Sequence, residues 1–352
     1  MLFRRSAGNY AYSCARVKAR KHFLLSQEVY SRLLVMDVHE IGRFLGETQY
    51  KNEVTRFGSR YSGASLIEVA VTRNLGQTYI DILGYTTGHL REMLAYYLHG
   101  MDIFNVKTIL RGKVSNVKSD EIMDTIVPGG ALSEEYLKAL VAMNTLQEIM
   151  DSLSTIPALR IDSEIARQVI DTGRLAALED YLDKNRYYDL LKVVTPSNTA
   201  DVLLRQYIRR EIDATNLKVL LKMKADKLPE EQIAKYLIPG GMEFSIEKLR
   251  SLASSDGLAP IMDELERSDT YKDMKPALDK FRTDRKLSAL TVEIDKAAIR
   301  TSEKFAHFYP LSILPIINYM IRKKVEVDNI RIIARGKQSA LPTKIIEELL
   351  VV

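Results

Sequence analysis

The 352-residue chain holds one cysteine, Cys14, so no disulfide can form within it, and the usage fits a reducing compartment. Long apolar runs are missing too. The most apolar stretch, "PLSILPIINYMI" from Pro310, is shorter than the roughly 20 residues a membrane helix needs and contains prolines. No segment alternates apolar and polar residues for long, and the hairpin dipeptide Asn-Gly is absent, which argues against a half-buried sheet. The usual catalytic signatures are lacking as well. Gly112–Lys113 and Gly336–Lys337 resemble the end of a phosphate loop, but neither has the required upstream glycine or the following Ser or Thr. His22, His39, His89, His99 and His307 form no HExxH pair, and there is no G-x-S-x-G elbow or G-x-G-x-x-G loop. No enzyme activity, cofactor, metal or small-molecule substrate is expected.

What is present is the balance of a folded protein: 46% hydrophobic and 28% charged residues, enough chain for two or three domains. The net charge of +5 favours acidic partners but is too mild to single out nucleic acid. The first 27 residues carry Arg4, Arg5, Arg16, Lys18, Arg20 and Lys21 and no acid. Such a segment can be an organelle transit peptide. Because it runs on into "HFLLSQEVYSRLLVM", with apolar residues at helical spacing, a first structural helix is the better reading.

Helical periodicity dominates the rest, in "SQEVYSRLLVMDVHEIGRFL", "LREMLAYYLHGM", "DVLLRQYIRREI" and "LPTKIIEELLVV", and the fold is read as all-α. One dodecapeptide recurs three times: "DIFNVKTILRGK" from Asp102, "DATNLKVLLKMK" from Asp213 and "EVDNIRIIARGK" from Glu326. Each reads acid-x-x-Asn-x-basic-x-x-x-basic-x-Lys. Two Pro-Gly-Gly turns, Pro128–Gly129–Gly130 and Pro239–Gly240–Gly241, keep the spacing of Asn105 to Asn216. A third would fall at Val352, where the sequence stops. A weaker echo joins "FLGETQY", "YLDKNRY" and "ELERSDTY". These repeats imply three similar helical domains from internal triplication, over residues 1–150, 151–255 and 256–352. The middle one is expected to be shortest and to have lost a helical hairpin.

In each dodecapeptide the apolar residues share one helix face, such as Val106, Ile109 and Leu110. The basic residues, Lys107 with Arg111, Lys218 with Lys222, and Arg331 with Arg335, share another. Like charges at that spacing cost about 0.2–0.5 kcal/mol unless an acid answers them, and Asp102, Asp213 and Glu326 are candidates to do so. Asn105, Asn216 and Asn329 are expected to cap the helix that follows. In the turns, proline stops a helix, the glycines supply positive φ, and Ser133 or Ser245 caps the next helix. Two roles are open for the six basic residues: bracing each domain, or lining one shared partner socket.

The opening "NYAYSCARVKARKHFLLSQEVYSRLLVMDVHEI", followed in order by "DIFNVKTILRGK" and "VPGGALSEEYLKAL", resembles the C subunits of archaeal A-type ATP synthases, a family that includes the d subunits of vacuolar ATPases. That resemblance spans essentially the full length. It implies three helical domains in a funnel around a pseudo-threefold axis, on the cytoplasmic face of the cell membrane. The funnel would be seated on the proteolipid rotor ring and receive the shaft formed by the D and F subunits. It implies a non-catalytic coupling part with no nucleic acid partner. The rival is a generic helical-repeat scaffold for an acidic partner or nucleic acid. The peptides "KTILRGK" and "KVLLKMK" lack the interleaved aromatics that a single-strand binder stacks bases on.

Overall fold

The computed structural model describes residues 8–284 and 286–352, so Arg4 and Arg5 lie outside the described residues. Every regular element among the described residues is a helix. In chain order they are α1 (Tyr10–Lys21), α2 (Gln27–Val35), α3 (Val38–Leu45), α4 (Lys51–Phe57), α5 (Gly63–Tyr85) and α6 (Gly88–Val114). There follow α7 (Ser119–Thr125), α8 (Glu134–Ala142), α9 (Leu146–Ser154), α10 (Ser163–Thr172), α11 (Ala176–Val193) and α12 (Thr199–Ala225). Next come α13 (Glu230–Tyr236), α14 (Ile246–Ser254), α15 (Ala259–Arg267), α16 (Lys275–Asp284), α17 (Leu287–Phe308), α18 (Leu314–Gln338) and α19 (Thr343–Glu348). The basic N-terminal stretch is helical as expected, but it breaks between α1 and α2 at His22–Ser26 instead of running through.

The chain divides into two compact units. One comprises the residues up to Ala15 with Met36–Val193, the other Arg16–Val35 with Val194–Val352. In the first, α6 packs against α11, α7 and α8, and α5 against α3, α4 and α7. Its α6–α11 core gathers Val106, Ile109 and Leu110 of α6 with Ile122, Leu137, Leu140, Ile149, Met150, Leu153, Leu178 and Leu182. In the second, α12 packs against α17, α13 and α14, and α18 against α17 and α19. Its α12–α17 core gathers Leu217, Leu220 and Leu221 of α12 with Ile233, Leu249, Leu252, Ile261, Met262, Leu265, Leu290 and Ile294. Element by element, the same positions carry the two cores. The apolar face read from each dodecapeptide is therefore the face buried.

The three helices that carry a dodecapeptide, α6, α12 and α18, stop in the same way. Asn116, Lys227 and Ala340 have φ of 53°, 58° and 53°. The next amide reaches back five residues, Val117 to Gly112 (2.8 Å), Leu228 to Met223 (3.0 Å) and Leu341 to Gly336 (2.9 Å). This is a Schellman stop, here built without glycine at the left-handed residue. The weaker echo does not hold together: Phe44 and Glu264 lie near the ends of α3 and α15, whereas Tyr181 sits inside α11. Five α-helices follow α6 before α12, and five follow α12 before α18.

Candidate functional site: a clasp in each long helix

Asn105, Asn216 and Asn329 do not cap helices. Each lies well inside a long helix, α6, α12 or α18, and is 0%, 0% and 1% exposed. The dodecapeptide is the C-terminal half of a helix already under way, so its backbone amides are satisfied and offer nothing to cap. The side chain reaches sideways instead. Asn105 donates to the Val127 carbonyl (2.8 Å) and accepts from the Val127 amide (2.9 Å). Asn216 makes the same pair with Ile238 (2.7 and 2.8 Å). Asn329 makes it with Val351 (2.9 and 3.0 Å). Each partner lies 22 residues on. A side-chain amide matches a backbone donor and acceptor at once through two separate atoms, whereas an ionised carboxylate has no donor to offer.

One turn earlier in each helix, the acid holds a second stretch of backbone. Asp102 accepts from the amides of Ala131 (2.8 Å) and Leu132 (3.0 Å). Asp213 accepts from Met242 (2.9 Å), Glu243 (2.8 Å) and Phe244 (3.2 Å). Glu326 accepts from Leu25 (2.5 Å). All three acids are buried. Burial pushes the Asp213 carboxyl up to about 6, partly opposed by the three amides it accepts from. A basic residue stands three positions before each acid. His99 contacts Asp102 (3.1 Å), Lys323 pairs with Glu326 (3.0 Å) with both groups inaccessible, and Arg210 lies in the field of Asp213 and Glu243 over the Phe305 ring. That i, i+3 spacing is visible in the sequence, though nothing in the spacing alone marks it as part of a repeat.

The Pro-Gly-Gly turns acquire a reason from this clasp. Gly129 and Gly240 have φ of +120° and +104°, which an L side chain adopts only with strain. Gly130 and Gly241 lie directly against the carboxylates of Asp102 and Asp213, where a Cβ would collide with an acid oxygen. Arg209 also donates to the carbonyl of Gly241 (2.7 Å). As expected, Ser133 and Ser245 cap the helices that follow, accepting from Tyr136 and Lys248.

The acids therefore do not answer the basic residues of the dodecapeptides; distant helices answer three of the six. Lys107 contacts both oxygens of Asp183 (2.7 and 2.8 Å), and Arg111 forms a two-pronged pair with Glu179 (2.6 and 2.5 Å), both acids on α11. Lys218 pairs with Asp295 of α17 (2.6 Å). Lys222 is exposed, Arg331 reaches Asp328 only at 4.0 Å, and Arg335 is exposed with Gln338 beside it (3.2 Å). In the second unit, Lys218 and Lys222 lie a turn apart on α12, and Arg331 and Arg335 a turn apart on α18. Both helices pack against α17. Spacing could not reveal Asp183, Glu179 or Asp295, which lie 68 to 77 residues from their partners.

Among the described residues, no group of three His, Cys, Asp or Glu is placed to hold a metal, and no helix is long and apolar enough to cross a membrane. What the clasps do chemically is fix backbone, tying each long helix to the turn that follows it.

Residues 13–349 match the family described as ATP synthase (C/AC39) subunit. The chain is 36% identical over 348 residues to the A-type ATP synthase C subunit of Methanococcoides burtonii, covering 99% of this chain and 95% of that one. It is 34% identical over 352 residues to the A-type ATP synthase C subunit of Archaeoglobus fulgidus, covering 100% and 99%. The A-type ATP synthase C subunit of Haloquadratum walsbyi is 33% identical over 339 residues, covering 96% of each. A match over nearly its whole length, with all three clasp asparagines and their acids inside it, places the chain in the ATP synthase (C/AC39) subunit family.

Proposed function

We propose that the protein is a non-catalytic central-stalk component of an A-type ATP synthase. It joins the shaft formed by the D and F subunits to the proteolipid rotor ring, peripheral to the cytoplasmic face of the membrane, and so couples ATP synthesis or hydrolysis to ion movement. The observation that carries this reading is full-length membership of the C/AC39 family, with relatives named as A-type ATP synthase C subunits. The thrice-made clasp supports a threefold-repeated helical design. A torque-bearing adaptor needs stiff walls, and each clasp replaces solvent-exchanging loop backbone with side-chain hydrogen bonds, buried in the first two clasps.

Within this reading the six basic residues divide. Lys107, Arg111 and Lys218 brace their own units through α11 and α17, while Lys222, Arg331 and Arg335 are offered to an acidic surface of the shaft. Charge there steers assembly and sets register, whereas shape resists slipping. The reading is tested by affinity purification of the tagged chain from membranes of an A-type host. Recovery of the shaft and ring proteins in fixed stoichiometry supports it. Recovery of the chain with neither refutes it.

A further inference from the structure

In two of the three clasps the acid is answered by a turn a short way on in the chain, between Val127 and Leu132 or between Ile238 and Phe244. The amide that Glu326 takes belongs to Leu25, 301 residues away and inside the same compact unit. Leu25 stands immediately before Ser26, as Leu132 stands before Ser133 and Phe244 before Ser245. After each serine comes a nine-residue helix, α2, α8 or α14. Glu28, Glu135 and Glu247, each two residues after its serine, are all held below the usual carboxylate range, with hydrogen bonds from that serine among the causes. The buried faces correspond as well: Tyr30, Leu33 and Leu34 in α2, Leu137, Leu140 and Val141 in α8, Leu249, Leu252 and Ala253 in α14.

We propose that residues Leu24–Val35 are a strap that completes the C-terminal clasp, so that α2 takes beside α18 and α19 the place α8 and α14 hold beside their own long helices. This rests on the repeat reading above. The seam is non-covalent. Helix α2 packs on α19, Tyr30 is buried, and Lys21 anchors the near end on Glu303 (3.0 Å) and Asn318 (3.4 Å). The presence of Glu326 where the other two clasps have aspartate fits the same account, because a carboxylate one methylene longer reaches across to a segment that is not tethered nearby. Tyr30 fills a position that is leucine in the other two helices, and burial beside Glu326 pushes its hydroxyl up. A seam held by contacts alone opens as one unit, strap and α19 together, ahead of the clasps whose turns are continuous.

Hydrogen exchange followed by mass spectrometry on the full chain, without any partner, tests this. Two variants weaken the strap from its own side: Leu25→Pro, which removes the amide given to Glu326, and Lys21→Met, which releases the anchor. In both, amides of residues 27–35 and 343–351 should exchange faster together, by roughly tenfold in Leu25→Pro and by up to about fivefold in Lys21→Met, whose ion pair is partly exposed. Protection in residues 134–142 and 246–254 should be unchanged. Acceleration of the strap alone, with α19 keeping its protection, makes the segment a peripheral arm and overturns the proposal. Equal acceleration everywhere in the second unit overturns it too, since the seam would then not open separately. Because no rotor protein is present, a negative result leaves shaft and ring binding to be judged by their own assays.

Discussion

Replacing the clasp asparagines one at a time by alanine should give an unequal series whose order is set by the burial of the partner backbone. Asn105→Ala and Asn216→Ala each delete two hydrogen bonds and strand an amide and a carbonyl, at Val127 (4% exposed) or Ile238 (5% exposed). A stranded buried polar group costs about 1–3 kcal/mol, so each substitution should cost about 2–5 kcal/mol. Asn329→Ala strands the same two groups at Val351, which is only half-buried near the chain end, and water there can replace the lost partner. Its cost should be about 1–2 kcal/mol. Asn216→Asp is the sharper probe. It keeps the acceptor for the Ile238 amide but sets a carboxylate against the Ile238 carbonyl, so it should be at least as damaging as alanine. Urea unfolding followed by circular dichroism gives the totals, and native-state hydrogen exchange at residues 122–132 and 233–244 assigns them to the clasp. The reasoning fails if Asn105→Ala and Asn216→Ala each cost less than about 0.5 kcal/mol, the range of an ordinary surface substitution. It fails equally if Asn329→Ala proves the worst of the three.

Other consequences follow from the same geometry. Gly130→Ala and Gly241→Ala place a Cβ on the acid oxygens of Asp102 and Asp213, and thermal denaturation should show losses of about 1–3 kcal/mol, the cost of overpacking. The double variant Lys222→Glu with Arg335→Glu should stay folded and bind the D–F shaft more weakly, with each single change worth no more than about 1 kcal/mol; undiminished binding by calorimetry would remove these residues from the interface. Asp213, with Arg210, Glu243 and Tyr271 around it, has its folded pKa raised to about 6, so folding favours its protonated form. Its contribution is fully present below about pH 4 and is lost as pH rises through about 6, by at most about 3 kcal/mol. Stability measured from pH 4 to 7 should show this slope relative to Asp213→Asn, and parallel curves would contradict it.

The helices, the buried faces of the three dodecapeptides and the serine caps were legible because each is a local pattern. The role of the asparagines was not. Asn before an apolar helical run reads as a cap, and only the unbroken helix Gly88–Val114 shows that Asn105 has no free amides ahead of it to hold. The ion pairs escaped for another reason. Lys107 and Lys218 are answered from α11 and α17, and nothing in the spacing of a charge says which distant helix will lie against it. Spacing alone puts the counterpart of Pro-Gly-Gly at Val352, while the backbone that answers Glu326 stands at Leu25. A partner 301 residues away is invisible to any local pattern.

The central claim is that this chain bridges a shaft and a membrane ring, and reconstitution from purified parts tests it most directly. Detergent-solubilised proteolipid ring is immobilised, D–F shaft is added with or without the chain, and retained shaft is measured. The account predicts that shaft is retained only when the chain is present, in a fixed ratio to the chain. Shaft held equally well in its absence, or a chain that binds neither part, would contradict the account.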